Sequence, residues 1–146
     1  MSDLENPCAL TRGLVKVGDK WSMLVLRDVA IGLSRFDQLR ASLNIAPNTL
    51  TQRLSALVEA GVLERRRYCE RPPRDEYLLT EAGRDFLPVL YVISEWGRRH
   101  NGEGGVTRLV DPTTGKVVEP TVIDRKSGKE LAGVPLRLQA PGTVDG

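Results

Sequence analysis

A short polar stretch of this chain carries the hydrogen-bonding groups that read the edges of DNA bases. Asn48 and Gln52 have side-chain amides, and such an amide can bond bidentately to adenine. Thr49 and Thr51 offer hydroxyl groups, and the guanidinium of Arg53 suits either a phosphate or a guanine. These residues predict a surface that contacts the major groove, although an ordinary solvated helix face has the same composition.

Two arginines further along the chain have the charge that binding to a DNA phosphate requires. Arg71 and Arg74 flank two prolines, which stiffen the loop and reduce the entropy lost on docking. The surrounding segment, Ser34–Arg74, holds eight arginines against four acids. We expect both arginines to contact phosphates or the minor groove. The alternative is a surface ion pair with Glu70 or Asp75.

The sequence has few residues suited to covalent or metal chemistry, with two cysteines and one histidine. Cys8 is predicted in the first turn of a helix, where the helix dipole lowers the thiol pKa and favours the reactive thiolate. An inert small residue is the alternative for Cys8, and Cys69 is interpreted as structural. His100 stands alone, and the sequence has no metal-ligand spacing, phosphate loop or nucleophile beside a base. The pattern argues against an enzyme and predicts no cofactor.

The elements that must position these groups follow from apolar periodicity. Leu50, Leu54 and Leu57 recur at helical spacing and predict a buried stripe that turns the amides outward. A helix–turn–helix followed by a hairpin suits a module that places one helix in the major groove and a wing beside it. The predicted elements are a helix over 35–43, a turn at Asn44–Ala46, a helix over Pro47–Ala60, and strands over Val62–Tyr68 and Glu76–Thr80.

Capping residues predict the limits of the other helices. Asn6 is expected to cap the first helix with Pro7 at its first position, and Asp19 to cap the second. Ser34 begins a capping-box pattern before the third helix. Thr80 is expected to cap a long final helix, in which Pro88 predicts a kink or a frayed first turn. These additional helices are predicted over about 7–17, 20–30 and 81–99.

The chain changes character after His100, which predicts a domain at 1–100 and a linker with a small β-rich appendage at 101–146. Asn101–Gly105 has the composition of a flexible linker. Two similar segments then follow 13 residues apart, each with an aspartate and a turn that ends in Gly-Lys. They predict two hairpins in which the side chains of Asp111 and Asp124 cap the turns. Six basic and six acidic groups over 101–146 leave this part without net charge.

The composition predicts a soluble protein. The 146 residues are 40% hydrophobic and 27% charged, and no apolar run reaches the roughly 20 residues that span a bilayer. The first ten residues lack the basic and apolar regions of a signal peptide. We therefore expect no membrane partner and a location in the cytoplasm, on the nucleoid when bound to DNA.

Several short motifs follow one another along about 7–100 in a characteristic order and spacing. They are Cys8, Gly18–Trp21, Leu24–Arg27, Phe36–Leu39, Leu50–Leu54 with Leu57 and Gly61, Pro72–Arg74 with Tyr77, and Leu79–Gly83. Together they make the chain resemble the HxlR family of bacterial winged-helix transcription regulators. The resemblance implies a homodimer, in which the first and last helices embrace those of the partner. It implies an interface formed by Leu10, Leu14, Val17, Leu90, Ile93 and Trp96.

Two departures from the family pattern change what is expected of this chain. Ala46 stands where the family commonly has a serine cap for the recognition helix, which removes about 0.5–2 kcal/mol of helix stability. Longer relatives often carry cysteine pairs resembling a zinc ribbon in the tail, whereas the two knuckle-like turns here contain no cysteine. We therefore predict hairpins like those of a zinc ribbon that bind no metal.

The sequence as a whole predicts an α+β winged helix-turn-helix with a long C-terminal dimerisation helix and a small β-hairpin appendage. Its predicted function is a sequence-specific regulator, a repressor, that binds a pseudo-palindromic double-stranded operator as a homodimer. The resemblance adds sensing of a small electrophile or oxidant through Cys8. The alternatives are a winged-helix module for protein interaction and a ligand-responsive regulator without thiol sensing.

Overall fold

A computed structural model of the chain describes residues 2–102 and 105–142 and shows five helices with a two-stranded antiparallel hairpin. This confirms the predicted α+β winged-helix architecture with its long C-terminal helix. Residues 2–87 together with 140–142 form one compact unit, and the described residues of 88–139 form a second. The predicted domain limits at 100 and 101 stay a prediction. The elements are a 3-10 turn Asp3–Glu5, α1 Ala9–Val17, α2 Lys20–Ala30, α3 Phe36–Leu43, α4 Pro47–Glu59, β1 Leu63–Glu70, β2 Pro73–Leu79 and α5 Glu81–Asn101.

The core of the first unit gathers leucines and valines from α2, α3, α4 and β1. The leucine stripe of α4 is fully buried, as the periodicity predicted. Burial of each such side chain contributes roughly 1.5–3 kcal/mol, so the stripe fixes which face of α4 remains outside. The fully buried apolar side chains are Val25, Leu26, Leu39, Leu50, Leu54, Leu57 and Leu63.

The junction between α1 and α2 is tight. Asp19 caps α2 as predicted, because its Oδ1 accepts a 2.9 Å hydrogen bond from the Ser22 N–H. Gly18 precedes it, and a Cβ at Gly18 would collide with the backbone carbonyl oxygen of Leu14. The glycine therefore allows α2 to begin immediately after α1 ends.

The start of α1 differs from the prediction. Cys8 is the N-cap and Ala9 the first helical residue, so Asn6 and Pro7 lie before the helix. Asn6 uses its Oδ1 to accept a 2.9 Å hydrogen bond from the Cys8 N–H instead. The side chain that was predicted to cap the helix thus organises the turn before it.

The turn between α3 and α4 has the expected position but a different cap before it. Asn44 adopts a left-handed conformation with φ of 49°, which asparagine tolerates better than most residues. Arg35, rather than Ser34, precedes the first turn of α3, and its N–H donates to Gln38 Oε1 at 3.1 Å. Ala46 is the N-cap of α4 and makes no side-chain cap, as predicted.

The wing, which comprises β1, β2 and the turn Arg71–Pro72, is longer than predicted. The strands pair from Leu63 opposite Leu79 to Glu70 opposite Pro73, with a bulge between Arg67 and Cys69. The predicted strand limits at Tyr68 and Glu76 therefore stopped short of the observed ones at Glu70 and Pro73. Pro73 starts β2 in a two-stranded sheet, where both strands are edges and a missing N–H is tolerated.

The last helix is anchored to the end of α4 by Thr80, the predicted cap. Its hydroxyl donates to the Gly61 carbonyl at 2.6 Å and accepts from the Gly83 N–H at 3.2 Å. Gly83 is buried, and a Cβ there would collide with the carbonyl oxygen of Val62. The helix then continues without interruption across Pro88 to Asn101.

The appendage, described over 105–142, contains the two predicted turns. Asp111 accepts from the Thr113 N–H at 2.8 Å, and Asp124 accepts from the Lys126 N–H and the Ser127 hydroxyl. The glycines that follow have positive φ, 71° at Gly115 and 73° at Gly128. The predicted aspartate capping is therefore confirmed. The predicted linker includes 103–104, which lie outside the described residues, and its first residue is the last residue of α5.

None of the described helices is long and apolar enough to cross a bilayer.

Candidate nucleic-acid interface

The polar face of α4 is exposed because its opposite face supplies the leucine stripe. Asn48, Thr51 and Gln52 are exposed, and Thr49 and Arg53 are half-buried. The Thr51 hydroxyl donates to the Pro47 carbonyl at 3.0 Å, so it retains only its acceptor capacity for another partner. The two amides therefore remain the most available groups for bidentate contact with a base edge.

Arg53 differs from the other polar residues of α4 because it already has a charged partner. Its Nε lies 3.5 Å from Oδ1 of Asp19, the residue that caps α2. Half burial and this partner hold the side chain at the boundary of the exposed face. No signal in the sequence indicates that Asp19 is the partner of Arg53, since 34 positions separate the two residues.

The arginines along the wing strands are engaged by neighbours on the wing. Arg66 forms a 2.8 Å ion pair with Glu76, and Arg67 pairs with Asp75 at 3.2 Å and Glu70 at 3.9 Å. Arg65 lies over the ring of Tyr77, 5.9 Å from its centroid. These contacts stabilise the hairpin surface and neutralise part of its charge.

The two arginines at the wing tip have no such partner. Within 2–102 and 105–142, neither Arg71 nor Arg74 makes a side-chain hydrogen bond or an ion pair, and both are exposed. Glu70 and Asp75, the acids considered as their alternative partners, pair with Arg67 instead. The wing tip therefore presents two uncompensated positive charges.

The thiol of Cys8 lies where backbone donors favour its anion. The N–H and the hydroxyl of Thr11, followed by the N–H of Leu10, stabilise the thiolate and lower the pKa of Cys8 below its ordinary value. The neutral side chain forms no capping hydrogen bond, so these donors act mainly on the charged form. Cys8 and Cys69 are both free and half-buried.

Two helices carry apolar side chains on their surfaces. On α1, Leu10 is 66% exposed and Leu14 lies one turn further on the same face. On α5, Ile93 and Trp96 are exposed, and Leu90 is half-buried. Val17 is only 7% exposed and belongs to the core, so it offers little surface to a partner chain.

Potential metal ligands do not gather anywhere in the described chain. No group of three or more His, Cys, Asp or Glu side chains has a metal-binding arrangement among those residues. Asp111 and Asp124, the acids of the appendage turns, use their oxygens for the backbone and for Ser127.

Comparisons with known proteins place this architecture among transcription regulators. A family model described as HxlR-like helix-turn-helix matches 16–104. An uncharacterised HTH-type transcriptional regulator of Mycobacterium tuberculosis is 39% identical over 122 residues, which is 82% of this chain and 77% of that protein. The matched family and its relatives are transcription regulators and not enzymes, as the sequence predicted.

Solved structures extend the similarity beyond the helix-turn-helix to 95% of this chain. The crystal structure of PA1607, a candidate transcription factor, superposes with a TM-score of 0.85 at 35% identity and covers 95% of this chain and 99% of that one. The redox regulator HypR in its oxidised form is 31% identical, with a TM-score of 0.59, and covers 68% of this chain and all of its own.

Proposed function

The chain belongs to the HxlR-like helix-turn-helix family of transcription regulators, and we propose that it represses transcription by binding a pseudo-palindromic DNA operator as a homodimer. The observation that carries the DNA proposal is the pair of unpaired arginines at the wing tip, Arg71 and Arg74. A bound dimer would cover the operator in the cytoplasm, on the nucleoid, and exclude the polymerase.

The proposed reading surface combines α4 with the wing. Asn48 and Gln52 lie in the major groove and bond to base edges, and Thr49, Thr51 and Arg53 supply neighbouring contacts. The wing tip binds phosphates or the minor groove. All of these residues belong to the first compact unit, which supports their action as one surface.

The homodimer proposal is supported by the apolar faces of α1 and α5. Leu10, Leu14, Leu90, Ile93 and Trp96 are surface or half-buried residues that a partner helix would cover. The burial of Val17 removes it from the surface available for this interface. Two subunits would double the number of phosphate contacts and match the symmetry of a palindromic site.

Salt dependence of DNA binding tests the wing directly. Replacement of Arg71 and Arg74 by glutamine is expected to lower the slope of log affinity against log salt by about 3–4, because each lost phosphate contact contributes roughly 0.9 and the dimer has four such arginines. The matched control is Arg66→Gln with Glu76→Gln, which removes a charge pair from the same wing without changing net charge. An unchanged slope in the Arg71/Arg74 variant would remove the wing from the interface.

We also propose that Cys8 senses oxidants or small electrophiles. The lowered pKa of its thiol raises the thiolate fraction at neutral pH, and the thiolate is the reactive species. The similarity to HypR, a redox regulator, supports this assignment. Modification at the cap of α1 would act on one of the helices proposed to form the dimer.

Thiol reactivity and operator binding together test the sensor. Iodoacetamide at neutral pH is expected to label Cys8 several-fold faster than Cys69, because the N–H and hydroxyl of Thr11 and the N–H of Leu10 stabilise the Cys8 thiolate. Diamide or a quinone should then weaken DNA binding by the wild type and not by Cys8→Ser. An equal response of both proteins would reject thiol sensing at Cys8 and favour regulation by another ligand.

A further inference from the structure

The ion pair between Asp19 and Arg53 connects α4 to the start of α2, outside the helix–turn–helix. The carboxylate is 3.5 Å from the Arg53 Nε, and the two side chains are 40% and 38% exposed. The Nε atom itself is buried and has no hydrogen bond among the described residues. The solvent-exposed part of Arg53 therefore lies on its other atoms.

Asp19 is itself firmly held. Its Oδ1 accepts from the Ser22 N–H at 2.9 Å and its Oδ2 from the Ser22 hydroxyl at 2.5 Å. Ser22 is buried, and the tight turn at Gly18 fixes the backbone beside it. Partial burial alone would raise the pKa of Asp19, but the hydrogen bonds from Ser22 and the charge of Arg53 outweigh it and lower that pKa. The carboxylate is thus both ionised and fixed in place.

We propose that Asp19 is a positioning residue for DNA recognition: it holds the Nε side of Arg53 and so directs the Nη groups at DNA lying against α4. This inference rests on the proposed function. A guanidinium is a rigid planar fork, so a partner at Nε fixes the direction of both Nη groups. Because the side chain is already ordered, less entropy is lost when it binds a DNA acceptor. That acceptor is either a guanine edge or a phosphate oxygen.

The substitution Asp19→Asn separates the positioning role from the helix cap. Asparagine caps a helix about as well as aspartate, so α2 and the thermal midpoint should be preserved while the charge is lost. A duplex enriched by the wild-type protein from a random library is compared with a scrambled duplex of the same composition. We expect Asp19→Asn to bind the enriched duplex about tenfold more weakly, the cost of roughly one well-placed contact. The scrambled duplex should lose no affinity if the acceptor is a guanine edge, and should lose as much as the enriched duplex if the acceptor is a phosphate oxygen.

Two controls make the result specific to the pair. Asp37→Asn removes an exposed acid from the first turn of α3 and changes the net charge equally, without touching Arg53. Arg53→Gln should lose as much affinity as Asp19→Asn, and the double variant should lose no more than either, because the two residues act as one unit. If Asp19→Asn lowers the thermal midpoint, Asp19→Ser provides a second variant that caps without a charge.

Each alternative outcome overturns a defined statement. A gain of equal size on both duplexes would mean that Asp19 only neutralises Arg53, and unchanged affinity would mean that it only caps α2. Either result overturns the positioning role and leaves the proposed function standing. If the wild type enriches no sequence and ignores duplexes at low salt, both proposals are overturned.

The same variants distinguish the two sources of the acceptor. A new selection with Arg53→Gln that loses its preference at one base pair identifies guanine. A selection that returns the same consensus, with a salt slope lowered by about 2 for the dimer, identifies a phosphate.

Discussion

The wing and the appendage are both built from hairpins, yet different interactions hold them in shape. The wing strands pair from Leu63 to Glu70, and side chains such as Arg66 and Glu76 meet across the ladder. Each appendage hairpin has one isolated bridge in the described residues, Val110 with Val117 and Ile123 with Glu130.

The two kinds of hairpin therefore differ in which polar side chains remain available to bind a partner. Paired strands and ion pairs along the ladder stabilise the wing, and the tip arginines Arg71 and Arg74 make no ion pair within the part of the chain that the structure describes. In the appendage, the polar side chains of Asp111, Asp124 and Ser127 are consumed by the turns themselves. We therefore locate the DNA contacts on the wing and assign none to the appendage turns.

The largest expected effect is on the core that supports α4 and the wing. Leu54→Ala should lower the free energy of unfolding by about 2–5 kcal/mol, because it leaves a cavity in the fully buried leucine stripe. Urea unfolding monitored by far-UV circular dichroism measures it. Leu138→Ala in the appendage, at a side chain 89% exposed, is the matched control and should change stability little. Equal losses in the two variants would contradict the assignment of the core.

A smaller effect is expected where α5 joins the winged-helix unit. Thr80→Val keeps the shape of the side chain but removes the donor to the Gly61 carbonyl and the acceptor for the Gly83 N–H. The expected loss is about 1–2 kcal/mol, typical of a helix cap. Thermal unfolding compares it with Thr107→Val in the appendage, an exposed threonine for which little change is expected. A wild-type midpoint for Thr80→Val would show that apolar packing alone anchors α5.

The smallest effect is a pH-dependent loosening of one appendage turn. The Ser127 hydroxyl, followed by the Lys126 N–H, lowers the pKa of Asp124. Because the folded pKa is depressed, the stabilisation is complete above the ordinary aspartate pKa near 4 and is lost as pH falls through the folded value. Amide exchange at Lys126 and Ser127 should rise in that window relative to amides of the wing. The substitution Asp124→Asn should abolish the difference; if exchange instead stays constant with pH, the carboxylate does not hold the turn.

Local rules predicted much of the fold. Apolar spacing located α2 at its observed limits, and the caps Asp19 and Thr80 follow from side chains that reach only a few residues along the backbone. The glycines at 115 and 128 adopt the positive φ that their turn pattern required. The predicted element limits were wrong where the same residues can adopt either of two local structures. Cys8, rather than Asn6, occupies the N-cap position of α1, and the wing strands continue into a connector that contains prolines.

In the candidate site, too, the features set by local spacing were predictable and those set by distant contacts were not. The exposed face of α4 was predictable, because three leucines at helical spacing determine which side is buried. Which arginines of the wing form ion pairs could not be predicted, because the pairing depends on the register of two strands and on the bulge after Arg67. Sequence proximity suggested that Arg71 or Arg74 could pair with Glu70 or Asp75, but Arg67 takes both acids.

The sequence by itself determined the order of the elements, the buried face of the recognition helix and the aspartate turns of the appendage, since these depend on interactions within a few residues. Only the tertiary structure decided that Arg53 faces Asp19 and that the wing-tip arginines pair with no residue of 2–102 and 105–142. Coulombic and hydrogen-bond contacts fall off within a few ångströms, so the partner of a charged side chain depends on how distant segments pack.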